Sequence, residues 1–274
     1  MTHGHRLLET REVIGLGLVA TLVPLNSTMI IVALGDIGDD LDVSKGTASW
    51  LVTLYLGVML IGQPLAGRMA DRVGSGRLLT TSLAGFVAMS VVAALAPNFA
   101  FLFVARMVHA ALGAAFVPVV ETLLRMLSPE RDRGRNFGIL GSFFGVGTVA
   151  GPIVGGGVTE LVGWQGIFLA NIPVILVSLV LIRDVLRVAG ARERGSGTSD
   201  LARVGLGSAF QWAFTTQSTT VFGQYCLLLI VPIVLDARGW SAGEVGLALT
   251  AMTVGMLGLG PVGGRLGDRG GRRL

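Results

Sequence analysis

The chain has 274 residues, of which 52% are hydrophobic and 14% are charged. Soluble globular domains have about a quarter charged residues, so this composition excludes that class and indicates a membrane protein. The net charge of +4 does not indicate a nucleic-acid surface, because the basic residues lie in short clusters between apolar segments. The single cysteine excludes a disulfide bond within the chain.

Eight apolar segments follow one another along the chain, each bounded by charged residues, glycine or proline. A stretch of about 20 apolar residues is long enough to cross the hydrocarbon core of a bilayer as a helix. Because a backbone in contact with lipid must satisfy its own hydrogen bonds, every segment is predicted to be an α-helix of an all-α polytopic membrane protein. The predicted spans are residues 13–34, 47–67, 78–96, 99–124, 137–158, 165–186, 207–235 and 242–264.

The lysines and arginines predict the orientation of these helices. Alternate connecting segments, beginning with the N-terminal tail, hold 18 of the 21 basic residues. The other loops hold only Lys45 and Arg238, and Arg106 lies within a predicted helix. Because cytoplasmic loops of membrane proteins are enriched in Lys and Arg, the basic segments and the N-terminus are predicted to be cytoplasmic.

An internal repeat relates the second predicted helix to the eighth. When Pro64 is aligned with Pro261, the residues that follow both prolines match in the order glycine, arginine, aspartate, arginine, glycine. Six helices precede the second copy, so the repeating unit is predicted to be a bundle of six helices. Transporters with such repeats place their binding site between two bundles.

The repeat also predicts how the chain is divided. We expect a six-helix bundle at residues 1–187, a polar cytoplasmic linker at residues 188–203, and the first two helices of a second bundle at residues 204–274. Four predicted helices follow the first copy of the repeat, whereas none follows the second. The chain is therefore expected to be truncated relative to a protein with two complete bundles.

The repeated segments read GRMADRVG at residues 67–74 and GRLGDRGGRR at residues 264–273. Both resemble GxLaDRxGrk, the cytoplasmic loop signature of the major facilitator superfamily. The resemblance implies the major facilitator fold and gives Asp71 a contact between the two halves that stabilises one state of the transport cycle. The alternative is a basic turn without a switching role. The predicted switching loops comprise Gly67, Asp71, Arg72, Gly74, Arg77, Gly264, Asp268, Arg269, Gly271, Arg272 and Arg273.

The first copy departs from the family pattern, because Ser75 and Gly76 stand where two basic residues are usual. The local chemistry of this copy agrees with a loop between helices. Gly67 is expected to permit close approach of a neighbouring helix, and Asp71 suits a turn or the start of a helix.

The fifth predicted helix contains GVGTVAGPIVGGG, which resembles the glycine signature that distinguishes antiporters from symporters in the superfamily. Small residues four positions apart let helix backbones touch in a membrane, and a proline within a helix bends it. A role in packing alone is the alternative to a role in antiport. The residues of this motif are Gly147, Gly151, Pro152, Gly155 and Gly156.

The first predicted helix contains LNSTMIIVAL at residues 25–34, which resembles the LDxTIVNVAL element of drug/proton antiporters. Asn26 stands where that family usually has an aspartate. A carboxylate within the membrane is the natural proton carrier, whereas an amide does not titrate. The substitution therefore argues against proton coupling through this position.

The fourth predicted helix contains Arg106, which matches the arginine of the family's RxxQG element. A charge at that depth costs about 2.5 to 3.5 kcal/mol, so Arg106 is expected to face a wet cavity or a partner; the alternative is a side chain that snorkels to the outer interface. His109 replaces the family glutamine one turn later on the same face. It is expected to be a neutral ring that hydrogen-bonds as the glutamine would, and the alternative is that it handles protons in place of Asn26.

Glu121 lies near the cytoplasmic end of the same predicted helix. Its spacing to Arg125 suits a local ion pair, which favours a structural role. The alternative is that Glu121 contacts the Asp71 loop or carries a proton. Two more segments resemble the family, GWQGIFLANIP at residues 163–173 and IVPIVLDARGWSAGEVGL at residues 230–247, so the matches cover residues 25–274.

Together these features predict a secondary transporter of the bacterial inner (plasma) membrane that exports drugs or other hydrophobic or cationic small molecules in exchange for protons. The alternatives are another carrier of the superfamily, such as a metabolite uniporter or symporter, and a truncated fragment that does not transport. The sequence contains no HExxH or GxxxxGK[ST] motif, and neither an enzyme nor ATP-driven transport is expected. No metal or other cofactor is expected, and the predicted partners are a small-molecule substrate, protons and the bilayer.

Overall fold

The computed structural model describes residues 8–195 and seven isolated positions beyond them, at residues 215, 219, 223, 231, 234, 235 and 238. Apart from those positions, the predicted seventh and eighth helices lie outside the described residues. The same is true of the whole second copy of the loop signature, from Gly264 to Arg273.

The described part of the chain is helical throughout, with short turns between the helices. Its helices are α1 (Thr10–Asp40), α2 (Lys45–Ala48), α3 (Trp50–Val73), α4 (Ser75–Ala94), α5 (Phe99–Gly113), α6 (Phe116–Leu127), α7 (Arg133–Val162), α8 (Gly166–Leu169) and α9 (Asn171–Gly195), with a 3-10 turn at Glu130–Asp132. Short breaks separate α2 from α3, α5 from α6 and α8 from α9. The described helices therefore form six segments that are long and apolar enough to cross a membrane, which confirms the six spans predicted for this region.

Helix α1 is the central helix of the described bundle. Almost its whole length is buried, and it packs against α6, α7 and α9. The Thr21 hydroxyl donates a hydrogen bond of 2.9 Å to the backbone carbonyl of Phe143 on α7. By contrast, large apolar side chains such as Ile61, Leu65 and Val180 are exposed on α3 and α9. This distribution fits a bundle whose outer surface meets lipid rather than water.

A row of three glycines brings the α7 backbone into direct contact with α1. A Cβ atom added at Gly147 would lie 2.7 Å from the Thr21 carbonyl oxygen, and one added at Gly155 would lie 2.9 Å from the Cα of Met29. A Cβ atom added at Gly151 would overlap the side chain of Thr28 on α1. The close helix approach predicted from this motif is therefore confirmed, whereas its significance for antiport stays a prediction.

The other two residues of the motif contribute less to this contact. A Cβ added at Gly156 would be in ordinary contact with Val32, at 3.8 Å. Pro152 is exposed, and α7 continues without a break on both sides of it. The tight part of the α1–α7 interface therefore depends on glycines at every fourth position.

We expect Gly151→Ala to lower the free energy of unfolding by about 1–3 kcal/mol, because an added methyl group in a packed interface forces the backbone or neighbouring side chains to move. The matched control is Gly157→Ala on the same helix, where an added Cβ meets nothing within 4 Å among the described residues. Thermal denaturation of the detergent-solubilised protein measures both. Equal melting temperatures for the two variants would contradict the packing role of Gly151.

Helix α9 continues through Gly195, beyond residue 187, where the linker is predicted to begin. The first part of the 188–203 segment is therefore helical. The remainder of the segment, from residue 196 onward, lies outside the described residues.

Candidate functional site

Arg106 on α5 is fully buried within the helical bundle. Its Nη1 donates a hydrogen bond to the side-chain oxygen of Asn26 on α1, and its Nη2 donates one of 3.2 Å to the Asn26 backbone carbonyl. Full burial does not fit an arginine that snorkels to the interface. The side chain instead has a partner within the bundle, and that partner is the position where the family usually has an aspartate.

Two aromatic rings complete the surroundings of the guanidinium. The Arg106 Cζ lies 4.1 Å from the ring centroid of Tyr55 on α3 and 5.7 Å from that of Phe168 on α8. A cation over an aromatic face is attracted by the ring quadrupole, more strongly when water is absent. Among the described residues, no carboxylate forms an ion pair with Arg106. The charge is therefore stabilised by an amide and aromatic rings rather than by a counter-ion.

His109 lies one turn along α5 from Arg106 and is also fully buried. Its Nε2 shares a hydrogen bond of 3.0 Å with the Ser90 hydroxyl on α4. The ring stacks on Phe86 with centroids 3.5 Å apart and meets Phe168 edge-on at 6.2 Å. These contacts fit the expected neutral ring, while the proton-handling alternative stays a prediction.

Phe168 is held in place from the far end of α1. The Trp164 indole Nε1 donates a hydrogen bond of 2.8 Å to the Asp40 carboxylate, and the Trp164 ring contacts Phe168 edge-to-face with centroids 6.2 Å apart. Because Phe168 touches both Arg106 and His109, it joins the two polar residues into one site. We call Asn26, Tyr55, Arg106, His109 and Phe168 the arginine cluster.

Glu121 does not belong to the arginine cluster. It lies on α6 and is partly exposed, and none of the described contacts of Arg106 or His109 involves it. No nitrogen–oxygen distance of 4.0 Å or less joins Glu121 to Arg125, so the predicted pair is not in direct contact, although the Arg125 charge acts on the Glu121 carboxyl group. Helical spacing brings the two side chains to one face but does not fix exposed rotamers in contact.

The first copy of the loop signature lies at the junction of α3 and α4. Asp71 and Arg72 are exposed in the last turn of α3, so the expectation of a turn or helix start at Asp71 is wrong. The turn lies at Gly74, whose φ of 95° favours glycine. A Cβ atom added at Gly67 would have no atom of the described residues within 4 Å, so the close helix approach expected at this glycine is not found. The switching role of this loop stays a prediction.

Packing accounts for one departure of this loop from the family pattern. An added Cβ at Gly76 would lie 2.9 Å from the Ala189 Cβ and 3.3 Å from the Leu186 carbonyl oxygen on α9. Ser75 is buried as well, whereas Arg77 is exposed. Because α9 lies directly against α4 here, a long basic side chain at position 76 does not fit.

The family model described as the Major Facilitator Superfamily matches residues 16–274 of the chain. The chain belongs to the major facilitator superfamily. The described helices accordingly belong to a multi-pass membrane protein with the major facilitator fold.

Two similar proteins of the superfamily come from bacteria. The uncharacterized MFS-type transporter YvkA of Bacillus subtilis is 35% identical over 171 residues, which cover 62% of this chain and 38% of that protein. The tetracenomycin C resistance and export protein of Streptomyces glaucescens is 32% identical over 183 residues, which cover 67% of this chain and 34% of that protein. The chain spans about a third of the length of the curated relatives it matches.

A solved structure of the superfamily has the same fold. The proton:xylose symporter XylE, bound to 6-bromo-6-deoxy-D-glucose, matches 96% of this chain and 70% of its own chain with a TM-score of 0.71. The sequence identity is 16%, so this similarity concerns the fold alone.

The structure thus brings together three of the residues predicted for the substrate and proton pathway of this major facilitator protein, namely Asn26, Arg106 and His109. Sequence analysis did not single out Tyr55 or Phe168. One signal was available for each, since Tyr55 is one of two tyrosines and Phe168 lies in the family-like segment at residues 163–173. An aromatic residue in an apolar helix is nevertheless usual, so neither signal separates a site residue from the core.

Proposed function

We propose that this protein is a secondary active transporter that exports small hydrophobic molecules by alternating access, driven by the proton gradient. The observation that carries the proposal is the buried arginine cluster between α1, α3, α5 and α8 in a chain of the major facilitator superfamily. Ionisable groups at membrane depth are costly and usually functional. The resistance and export role named for the Streptomyces relative supports export as the direction.

The α1–α7 interface supports the antiporter part of this proposal. Three of the antiporter-like glycines form a close contact between α7 and α1, the helix that also carries Asn26. A sequence element that resembles an antiporter signature therefore packs against the helix that holds the arginine cluster. The proposal also includes a bacterial inner-membrane location, a cytoplasmic N-terminus and a second bundle that completes the binding site.

The charge of the cluster narrows the substrate class expected from sequence. Hydrophobic and cationic molecules were both predicted. Because Arg106 is a buried cation without a carboxylate partner among the described residues, it would repel a cationic group brought close to it. We therefore propose hydrophobic substrates and exclude cationic ones from this site.

The test is export from cells that express the complete reading frame containing this chain and lack their own major efflux pumps. We expect such cells to accumulate less of a neutral hydrophobic dye than cells with an empty vector. A protonophore should abolish the difference, because it removes the proton gradient. Equal accumulation in both strains would overturn the proposal of export.

The second candidate function is a carrier that is not coupled to protons, such as a uniporter. Asn26 favours it, because the amide that contacts Arg106 does not titrate. The same export assay separates the two functions. Transport that follows the substrate gradient and is insensitive to the protonophore would support the uniporter and exclude proton-driven export.

We expect His109→Gln to leave the pH dependence of transport unchanged between about pH 5 and 8, the range in which histidine commonly titrates. His109 is buried, stacked on Phe86 and hydrogen-bonded to Ser90, and glutamine offers similar hydrogen-bonding groups. The measurement is the initial rate of dye export across this pH range at matched expression. A shifted or flattened profile in the variant would assign a proton-handling role to His109.

A further inference from the structure

Two buried hydrogen-bond donors in the arginine cluster have no acceptor among the described residues. They are the Nε of Arg106 and the hydroxyl of Tyr55, and both side chains are almost completely inaccessible to solvent. The Nδ1 of His109, a donor or an acceptor depending on the tautomer, is a third buried polar atom of the cluster without a partner among the described residues. The Tyr55 hydroxyl lies beside Ser27 without a hydrogen bond of acceptable geometry, and the Ser27 hydroxyl donates to the Val23 carbonyl at 2.8 Å. Buried donors normally have acceptors, so two in one cluster call for a physical reason.

The charges around the guanidinium point to the missing acceptor. The titratable side chains near Arg106 are Tyr55 and His109, neither of which carries a negative charge at neutral pH, and Asn26 is neutral. Aromatic rings and an amide only partly replace the hydration that a cation loses on burial. The acceptor that best satisfies this cluster therefore carries a negative charge.

The arrangement of the donors also defines the shape of that acceptor. The side-chain and backbone oxygens of Asn26 each accept one hydrogen bond, from Nη1 and Nη2 respectively. The Nε–H of the guanidinium has no acceptor among the described residues. The Nε edge of the guanidinium presents Nε–H and an Nη–H side by side, a pair that matches the two oxygens of a carboxylate. The Tyr55 ring lies over the same guanidinium, so its hydroxyl is in the same cluster.

We propose that Arg106 and Tyr55 bind an oxyanion, a carboxylate or a phenolate, carried by an otherwise apolar substrate. The apolar part of such a substrate would suit the ring of Phe168 within the cluster and the rings of Phe86 and Phe116 beside it. The inference rests on the proposed transport function, whose substrate class it specifies. In the conformation described here the cluster is closed, and Tyr55 and Phe168 cover Arg106 from two different helices. For the oxyanion to reach Arg106, α3 and α8, which belong to the same predicted bundle, have to separate.

The test compares 2-naphthoate with its uncharged isostere 2-naphthamide in equilibrium dialysis with the purified complete protein. We expect the acid to bind at least about tenfold more tightly than the amide, because only the acid supplies an anion to the unpaired donors. Arg106→Gln should abolish this preference. Tyr55→Phe, which removes one hydroxyl from a folded site, should reduce the preference about threefold to tenfold and leave the affinity for the amide unchanged.

Arg131→Gln is the matched control, because Arg131 is an exposed arginine on the 3-10 turn outside the cluster and its loss should leave the preference unchanged. Equal affinities for acid and amide in the wild type would overturn the inference, and so would a preference that Tyr55→Phe does not alter. Uptake into proteoliposomes is measured in parallel. Selective binding without uptake would overturn the transport function and retain the oxyanion site. Equal uptake of the acid and the amide would overturn the oxyanion site and retain the transport function.

Discussion

The double substitution Asn26→Leu with Arg106→Met is expected to leave the protein at least as stable as the wild type while its transport falls to background. Arg106 is a fully buried cation without a counter-ion among the described residues. Replacing buried ionic groups by apolar residues of similar volume is often neutral or stabilising by about 1–4 kcal/mol. A residue that is costly for folding but retained in the site is expected to serve function.

The single variant Arg106→Met is the control for this prediction. It leaves the Asn26 side-chain oxygen without its donor, so it should be about 1–3 kcal/mol less stable than the double variant. Melting temperature in detergent and dye export from cells are measured for both variants and the wild type. A double variant that melts well below the wild type would show that the Asn26–Arg106 contact is structural.

The membrane-spanning helices could be predicted because their signal is local. A helix in lipid needs a long apolar run, and that run is visible in the sequence without knowledge of its neighbours. The boundaries were less accurate, since α1 was predicted at residues 13–34 and extends over Thr10–Asp40. At its start, Glu9 and Glu12 form a capping box that begins the helix at Thr10. At its end, the helix continues through acidic residues to Asp40, because charged residues end an apolar run without ending a helix.

The arginine cluster could be predicted only in part. Arg106 and His109 share a face because they are three residues apart in one helix, which a helical period reveals. Their partners come from other helices: Asn26 from α1, Tyr55 from α3 and Phe168 from α8. No periodicity within one segment specifies which residues of different helices meet.

The loop signature illustrates the same limit. Gly74 adopts a positive φ, so a glycine in this position follows from backbone conformation. The absence of a basic residue at position 76 follows instead from contact with Ala189, which is more than 100 residues away in sequence. Sequence shows the departure from the family pattern, whereas the reason for it is tertiary packing.

The second large effect is expected for Asn26→Asp, which changes the shape of the side chain very little but adds a negative charge beside Arg106. The new carboxylate would accept the hydrogen bond from Nη1 that the amide accepts now, as a charge-assisted bond. Two unit charges about 4 Å apart attract by about 4 kcal/mol at an effective dielectric constant of 20. The guanidinium would then have its own counter-ion, and an external oxyanion would have to compete with it.

We therefore expect Asn26→Asp to weaken binding of 2-naphthoate by at least about tenfold, or 1.4 kcal/mol, and to leave binding of 2-naphthamide unchanged. Asn26→Leu is the matched control, because it removes the amide without adding charge and leaves the Arg106 cation free to prefer the acid. Equilibrium dialysis of both ligands with the three proteins gives the comparison. If Asn26→Asp retains the affinity of the wild type for the acid, the anion does not bind at Arg106; if Asn26→Leu loses it equally, geometry rather than charge determines binding.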